Sequence, residues 1–129
     1  MKRFPMTVLV VLLGLSPALG QTSNSNAQIN RDANALLALV TNVGILDARN
    51  LRVTKKQVKA VLTGANKIVR EAAGNQNALA AANAANGFLA TLKQSVPAHD
   101  HRGTQLACYN GTNALKSLIQ LTTPTAATP

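Results

Sequence analysis

TKKQVKAVLTGANKIVREAAG, Thr54 to Gly74, is the stretch that decides how this chain folds. Val58, Val61, Leu62, Ala65, Ile68, Val69 and Ala72 recur at the i, i+3, i+4, i+7 spacing of one helical face. Thr54 with Gln57 fits a capping box, in which two side chains satisfy backbone N–H groups that the first helical turn leaves unpaired. Gly74 stands where a left-handed residue ends many helices. At roughly 100° per residue, Lys56, Lys59, Thr63, Lys67 and Arg70 fall opposite the apolar stripe, with Glu71 off that cluster. Arg49 and Arg52 lie just upstream and extend the positive face.

Outward from this helix the same spacing recurs. Ile29, Ala33, Leu36, Leu37, Val40 and Val43 predict a helix over 27–43, with Asn26 as its cap, Gly44 as its stop and a floppy polar lead-in, QTSNSN, before it. Gly44 to Val53 reads either as a loop or as a short turn begun by Asp47. Asn75 supplies capping chemistry for a third helix over 76–96, ended by Pro97. AHDHRG, Ala98 to Gly103, reads as a turn before a last helix over 104–122, in which Gly111 is either a break or a close helix contact. No segment has the period of two expected of strands. The expectation is an all-α fold, a small up-and-down bundle of about four helices. Thirteen asparagines are many for such a chain, and helix capping accounts for them at the sequence level.

The chain of 129 residues has room for one domain. Lys2 and Arg3, the apolar run Thr7 to Leu15 and the small residues Ala18-Leu19-Gly20 match the three regions of a secretory signal peptide over 1–20. The mature protein is then expected to begin at Gln21 and to be secreted or periplasmic. A helical domain follows over 21–122, and the Thr/Pro/Ala tail 123–129 is expected to be disordered. From Gln21 onward there are eleven bases and four acids. Residues 49–73 hold seven of those bases and one acid, so the charge is a local patch, the kind of feature a polyanion senses. Apolar residues make up 47% of the chain, but they are mostly alanine, and the lone Cys108 allows no disulfide within the chain. Such a core buries little area per residue, so homo-oligomerisation is a natural supplement.

Few residues point to chemistry. His99-Asp100-His101 is the only group with metal-ligand side chains, and His99 and His101 are candidates for a surface metal site, although a solvated polar turn explains them as well. Cys108, on an apolar face, reads as a small buried hydrophobe in preference to a nucleophile. Asn110-Gly111-Thr112 is a glycosylation sequon that matters only in a eukaryotic secretory route. Asp32, Asp47, Glu71 and Asp100 are widely spaced, and no phosphate loop or nucleophile elbow is present, so neither an enzyme nor a cofactor is expected.

The basic face remains: Arg49, Arg52, Lys56, Lys59, Lys67 and Arg70. Single-strand nucleic-acid readers add stacking aromatics, and this segment has none, so sequence-specific nucleic-acid binding is disfavoured. An acidic polymer or an anionic membrane surface is the expected partner. Its Val/Ala/Ile stripe suits a protein core better than membrane insertion. The alternative is a structural or protein-interaction module with no polyanion ligand.

Overall fold

Thr54 starts the central helix as its spacing predicts. In the computed structural model, which describes residues 18–123 with side chains from residue 26 onward, the Thr54 hydroxyl accepts from the Gln57 N–H at 3.1 Å. The Gln57 carboxamide oxygen accepts from the Thr54 N–H at 2.8 Å, completing the capping box. All but the last three residues of the expected signal peptide, and residues 124–129 of the tail, lie outside the described residues.

The elements are α1 (Ala18–Ala48), α2 (Lys55–Glu71), a 3-10 turn (Ala72–Gly74), α3 (Gln76–Ala90), α4 (Leu92–Ser95) and α5 (His101–Thr122). The fold is a small all-α bundle. α4 continues α3 after a one-residue interruption at Thr91, whose hydroxyl donates to the Phe88 carbonyl at 2.7 Å and competes with the regular ladder. Four rods therefore run up and down, each packed on its two neighbours, and α5 makes the broadest contacts, with α1 and α3. With α3 and α4 taken as one rod, α2 is the rod least embraced by the others.

Several boundaries differ from the sequence reading. α1 begins before the polar lead-in and passes through Gly44 without stopping. Asn26 is not a cap but lies more than two turns inside α1; its side-chain oxygen accepts from Asn75 at 3.2 Å and ties α1 to the start of α3. Gly44 faces α5, where a Cβ would lie 3.6 Å from the Cβ of Cys108. Gly74 does not adopt the left-handed conformation; a 3-10 turn ends α2 instead. AHDHRG is not all turn, because Asp100 accepts from the Gly103 N–H at 2.9 Å and starts α5 at His101. Arg49 and Asn50 form a turn, and 51–54 has no regular structure.

Several asparagines tie one helix to another. Asn75 caps α3 by accepting from Ala78 N–H, but Asn86 donates to Asn66 across α3 and α2 at 2.9 Å. Asn30 on α1 donates to the Ile119 carbonyl at 3.1 Å and to the Thr122 and Thr123 hydroxyls. The same Ile119 carbonyl, near the end of α5, also accepts from the Thr123 hydroxyl at 2.6 Å and the Thr122 hydroxyl at 3.3 Å.

The core is a layer of Ile29, Leu36, Val40, Val61, Ile68, Leu89, Leu92, Leu115 and Leu118, all essentially inaccessible, separated by Ala33, Ala65, Ala78, Ala82 and Ala85. Alanine and glycine let the helices approach closely. Gly111 is not a break; α5 runs through it, and a Cβ there would sit 2.6 Å from Leu89 Cδ2. One buried polar pair, Thr104 donating to Ser95 Oγ at 2.9 Å, pins α5 to α4.

Two helix ends use left-handed residues other than glycine. At the end of α1, Leu51 N–H reaches the Leu46 carbonyl and Asn50 N–H the Asp47 carbonyl, the paired bonds of a Schellman motif, with Asn50 at φ 58°. After α4, Asp100 N–H reaches Ser95 and His99 N–H reaches Val96, with His99 at φ 55°. Histidine pays a steric penalty there that glycine does not. His99→Gly is therefore expected to stabilise the protein by about 1 kcal/mol, raising Tm by about 4–8 °C in a thermal melt, while Asn50→Gly does less because asparagine already tolerates this region.

Candidate functional site

Both Schellman turns lie at the same end of the bundle, and between them opens a groove of about 1180 Å³. Its walls come from the α1–α2 connection, the first two turns of α2 and the α4–α5 connection. Leu51, Val53, Val58, Leu62, Val96 and Pro97 give it an apolar floor. Arg52, Lys55, Lys59 and Lys93 line it as well, and all four are exposed. None of the four forms an ion pair with a described residue.

The only acid in the lining is Asp47, and it is already engaged. His101 Nδ1 lies 2.8 Å from Asp47 Oδ1, and Gln105 donates to Asp47 Oδ2 at 2.9 Å and to the Gly44 carbonyl at 3.0 Å. These contacts offset the unfavourable placement of an acid in the last turn of α1, where the helix dipole is negative. The opposite mismatch is left uncorrected at α2. It carries Lys55 and Lys56 in its first turn and no acid, so side-chain cations add to the positive pole of the helix. α5 also begins at this end, with the Asp100 carboxylate at its N-cap.

The six basic residues expected from the sequence are spread along α2 and the connection before it. Arg52 and Lys59 line the groove, and Arg49 and Lys56 are exposed at the same end of α2 or just before it. Lys67 and Arg70 are exposed too, but a helix rise of 1.5 Å per residue puts Arg70 about 21 Å from Lys56, beyond the roughly 8 Å over which surface charges act together in physiological salt. Lys67 Nζ is also 3.5 Å from Asp32 Oδ2. Lys55 and Lys93 were missed. Lys55 precedes the face chosen from the helical wheel, and Lys93 lies forty residues from the basic stretch; only the tertiary fold joins them to Arg52 and Lys59.

At the far end of α2, the fold pairs two acids that the sequence keeps apart. Glu71 stands beside Asp32 of α1. Burial, and then the closeness and the charge of Asp32, raise the Glu71 carboxyl from its ordinary 4.5 to about 7, against the opposing pull of Lys67 and Arg70. Burial also pushes Asp32 upward, but the contacts from Gln28, Glu71 and Lys67 outweigh it and hold that carboxylate below its usual range. Glu71 Oε1 is buried and has no hydrogen-bond partner among the described residues.

A carboxyl whose folded pKa is raised contributes fully below its unfolded pKa and loses that contribution as pH rises through the folded value. Stability is accordingly expected to fall between about pH 5 and 8, by about 1–2 kcal/mol once solvent screening of this incompletely buried group is allowed for. Glu71→Gln keeps a donor for Asp32 and carries no charge, so urea midpoints of this variant are expected to stay flat over that range and to exceed the wild type above pH 7.

Burial, with the Asp47 carboxylate a smaller contribution, pushes the Cys108 thiol up to about 11. It is neutral at physiological pH, which suits packing against Gly44 and not nucleophilic attack. His99 and His101 flank the Asp100 cap, with His101 held against Asp47. Among the described residues no three His, Cys, Asp or Glu side chains converge, and no helix is long and apolar enough to cross a membrane. Asn110 of the sequon lies in mid-helix. Tyr109 and Leu106 are exposed on the outer surface of α5. No protein-family model matches the chain, and no curated protein or solved structure does either.

Proposed function

We propose that this chain is an exported, non-enzymatic helical protein that binds an acidic polymer or surface through the cationic end of its bundle. The observation that carries the reading is the ring of Arg52, Lys55, Lys59 and Lys93 around one open groove, with its single acid already engaged by His101 and Gln105. Cations collected at the positive pole of α2 cost helix stability, since each charge there opposes the dipole by about 0.3–1 kcal/mol. Conceding stability at one place is what a binding site for anions requires and what an ordinary solvated face does not. Arg49 and Lys56 widen the same field, whereas Lys67 is drawn toward Asp32 and contributes less. The export component rests on the Lys2 to Gly20 pattern.

The test is retention on a heparin column as a function of salt. Lys55→Glu with Lys59→Glu is compared with a control pair of equal charge change, Arg31→Glu with Lys116→Glu, whose positions do not line the groove.

A further inference from the structure

Resting on the reading that this end of the bundle takes an acidic ligand, we infer that the groove binds a monomeric single-chain anionic amphiphile, a long-chain fatty carboxylate, with its head among the lysines and its chain along the floor. A sulfated or phosphorylated polymer needs the cations and gains nothing from the surface beneath them. Here that surface is apolar, and Leu51 is left 53% exposed in it. Val58, Leu62 and Val96 continue the floor, and the methylene stems of Lys55 and Lys59 extend it up one wall. Water against this surface is unfavourable, and a hydrocarbon chain removes it.

Charge complementarity selects within the apolar ligands. Four cations beside an apolar trough have no role toward a neutral lipid, whereas a carboxylate head meets them while its tail lies on the floor. Nucleotides are a poorer match to an aliphatic floor, because Phe88 and Tyr109 both lie outside the lining, whose only rings are the imidazoles of His99 and His101 and the pyrrolidine of Pro97. A volume of about 1180 Å³ exceeds the roughly 300–1,000 Å³ of ordinary small-ligand sites, which suits an extended flexible chain. A concave trough at one end of the molecule also favours a single extracted chain over the plane of a bilayer.

Calorimetric titration of the purified protein with oleate, kept below its micelle concentration, is the test. Saturable one-to-one binding is expected, with no comparable binding of oleyl alcohol. Across saturated carboxylates, each loss of two methylenes should weaken binding by up to about fifteenfold, from roughly 0.8 kcal/mol per buried CH₂. Leu51→Ser, at a half-exposed loop position where circular dichroism can verify folding, should weaken oleate severalfold and leave heparin retention unchanged. Lys55→Glu with Lys59→Glu should weaken both. Heparin retention with no saturable oleate binding would overturn the amphiphile and leave the acidic-ligand reading standing; failure of both would remove both. Tighter binding to phosphatidylglycerol vesicles than to monomeric oleate, or equal binding of oleyl alcohol, would likewise overturn the inference.

Discussion

Replacing Gly111 by valine is expected to destabilise the bundle by about 3 kcal/mol, a large share of the roughly 5–15 kcal/mol that holds a domain of this size together. A Cβ at residue 111 would lie 2.6 Å from Leu89 Cδ2 and 2.9 Å from Leu89 Cγ, closer than carbon atoms pack. Leu89 is fully buried and cannot swing into solvent to make room. The intrinsic helix propensity of valine exceeds that of glycine by a few tenths of a kcal/mol, far less than the overpacking penalty. Gly111→Ala carries the same Cβ without the branch, so its loss should be smaller. Leu89→Ala alone should cost about 2–5 kcal/mol through the cavity it leaves. The double variant Gly111→Val with Leu89→Ala should cost clearly less than the two single losses added, because each change removes what the other strains. Urea midpoints at fixed pH measure all of these. A rise in midpoint for Gly111→Val would mean that α3 and α5 do not meet as closely as the bundle requires.

The helices were legible because their signals are local. The Val58 to Ala72 stripe, the Thr54–Gln57 box and the Asn75 cap are each written within a few residues, and the protein uses each of them. Helix ends were less legible where the stop signal itself was ambiguous. Gly44 and Gly74 look like terminators, but Gly44 is an interior packing position, and the left-handed residues are Asn50 and His99. Asp100 was hidden inside a polar run that reads as loop until its side chain is seen capping α5.

The site was legible only in part, because charge is visible along a sequence and concavity is not. Lys59 could be chosen from a helical wheel and Arg52 from its place just upstream of the helix. Lys93, Leu51 and Val96 become neighbours of that wheel only when α4 returns to the same end. A helical wheel also exaggerates unity, since it collapses the helix axis and so merges Lys67 and Arg70 with cations far from them. The Asp32–Glu71 pair was missed for the same reason as Lys93: no i, i+3 or i+4 spacing joins them, and only the packing of α1 on α2 does.

The second large effect concerns the ligand. Reversing Lys55 and Lys59 should lower affinity for heparin by about a thousandfold, on the basis of roughly 1 kcal/mol per lysine near an anionic surface and a repulsion of similar size once each is reversed. Lost folding would not explain that result. Lys55→Glu places an acid in the first turn of α2, where the dipole favours it, so the variant should be at least as stable as the wild type. The salt dependence should change with it, because fewer counterions are displaced when fewer cations engage the polymer; the slope of log K against log salt should become shallower by about two.

The comparison of the two charge-reversed pairs on heparin tests the central claim most directly. If the groove end is the site, Lys55→Glu with Lys59→Glu should elute at much lower salt with a shallower slope, and Arg31→Glu with Lys116→Glu should elute close to the wild type. Equal losses for both pairs would mean that heparin responds only to net charge, and the groove would not be the binding site.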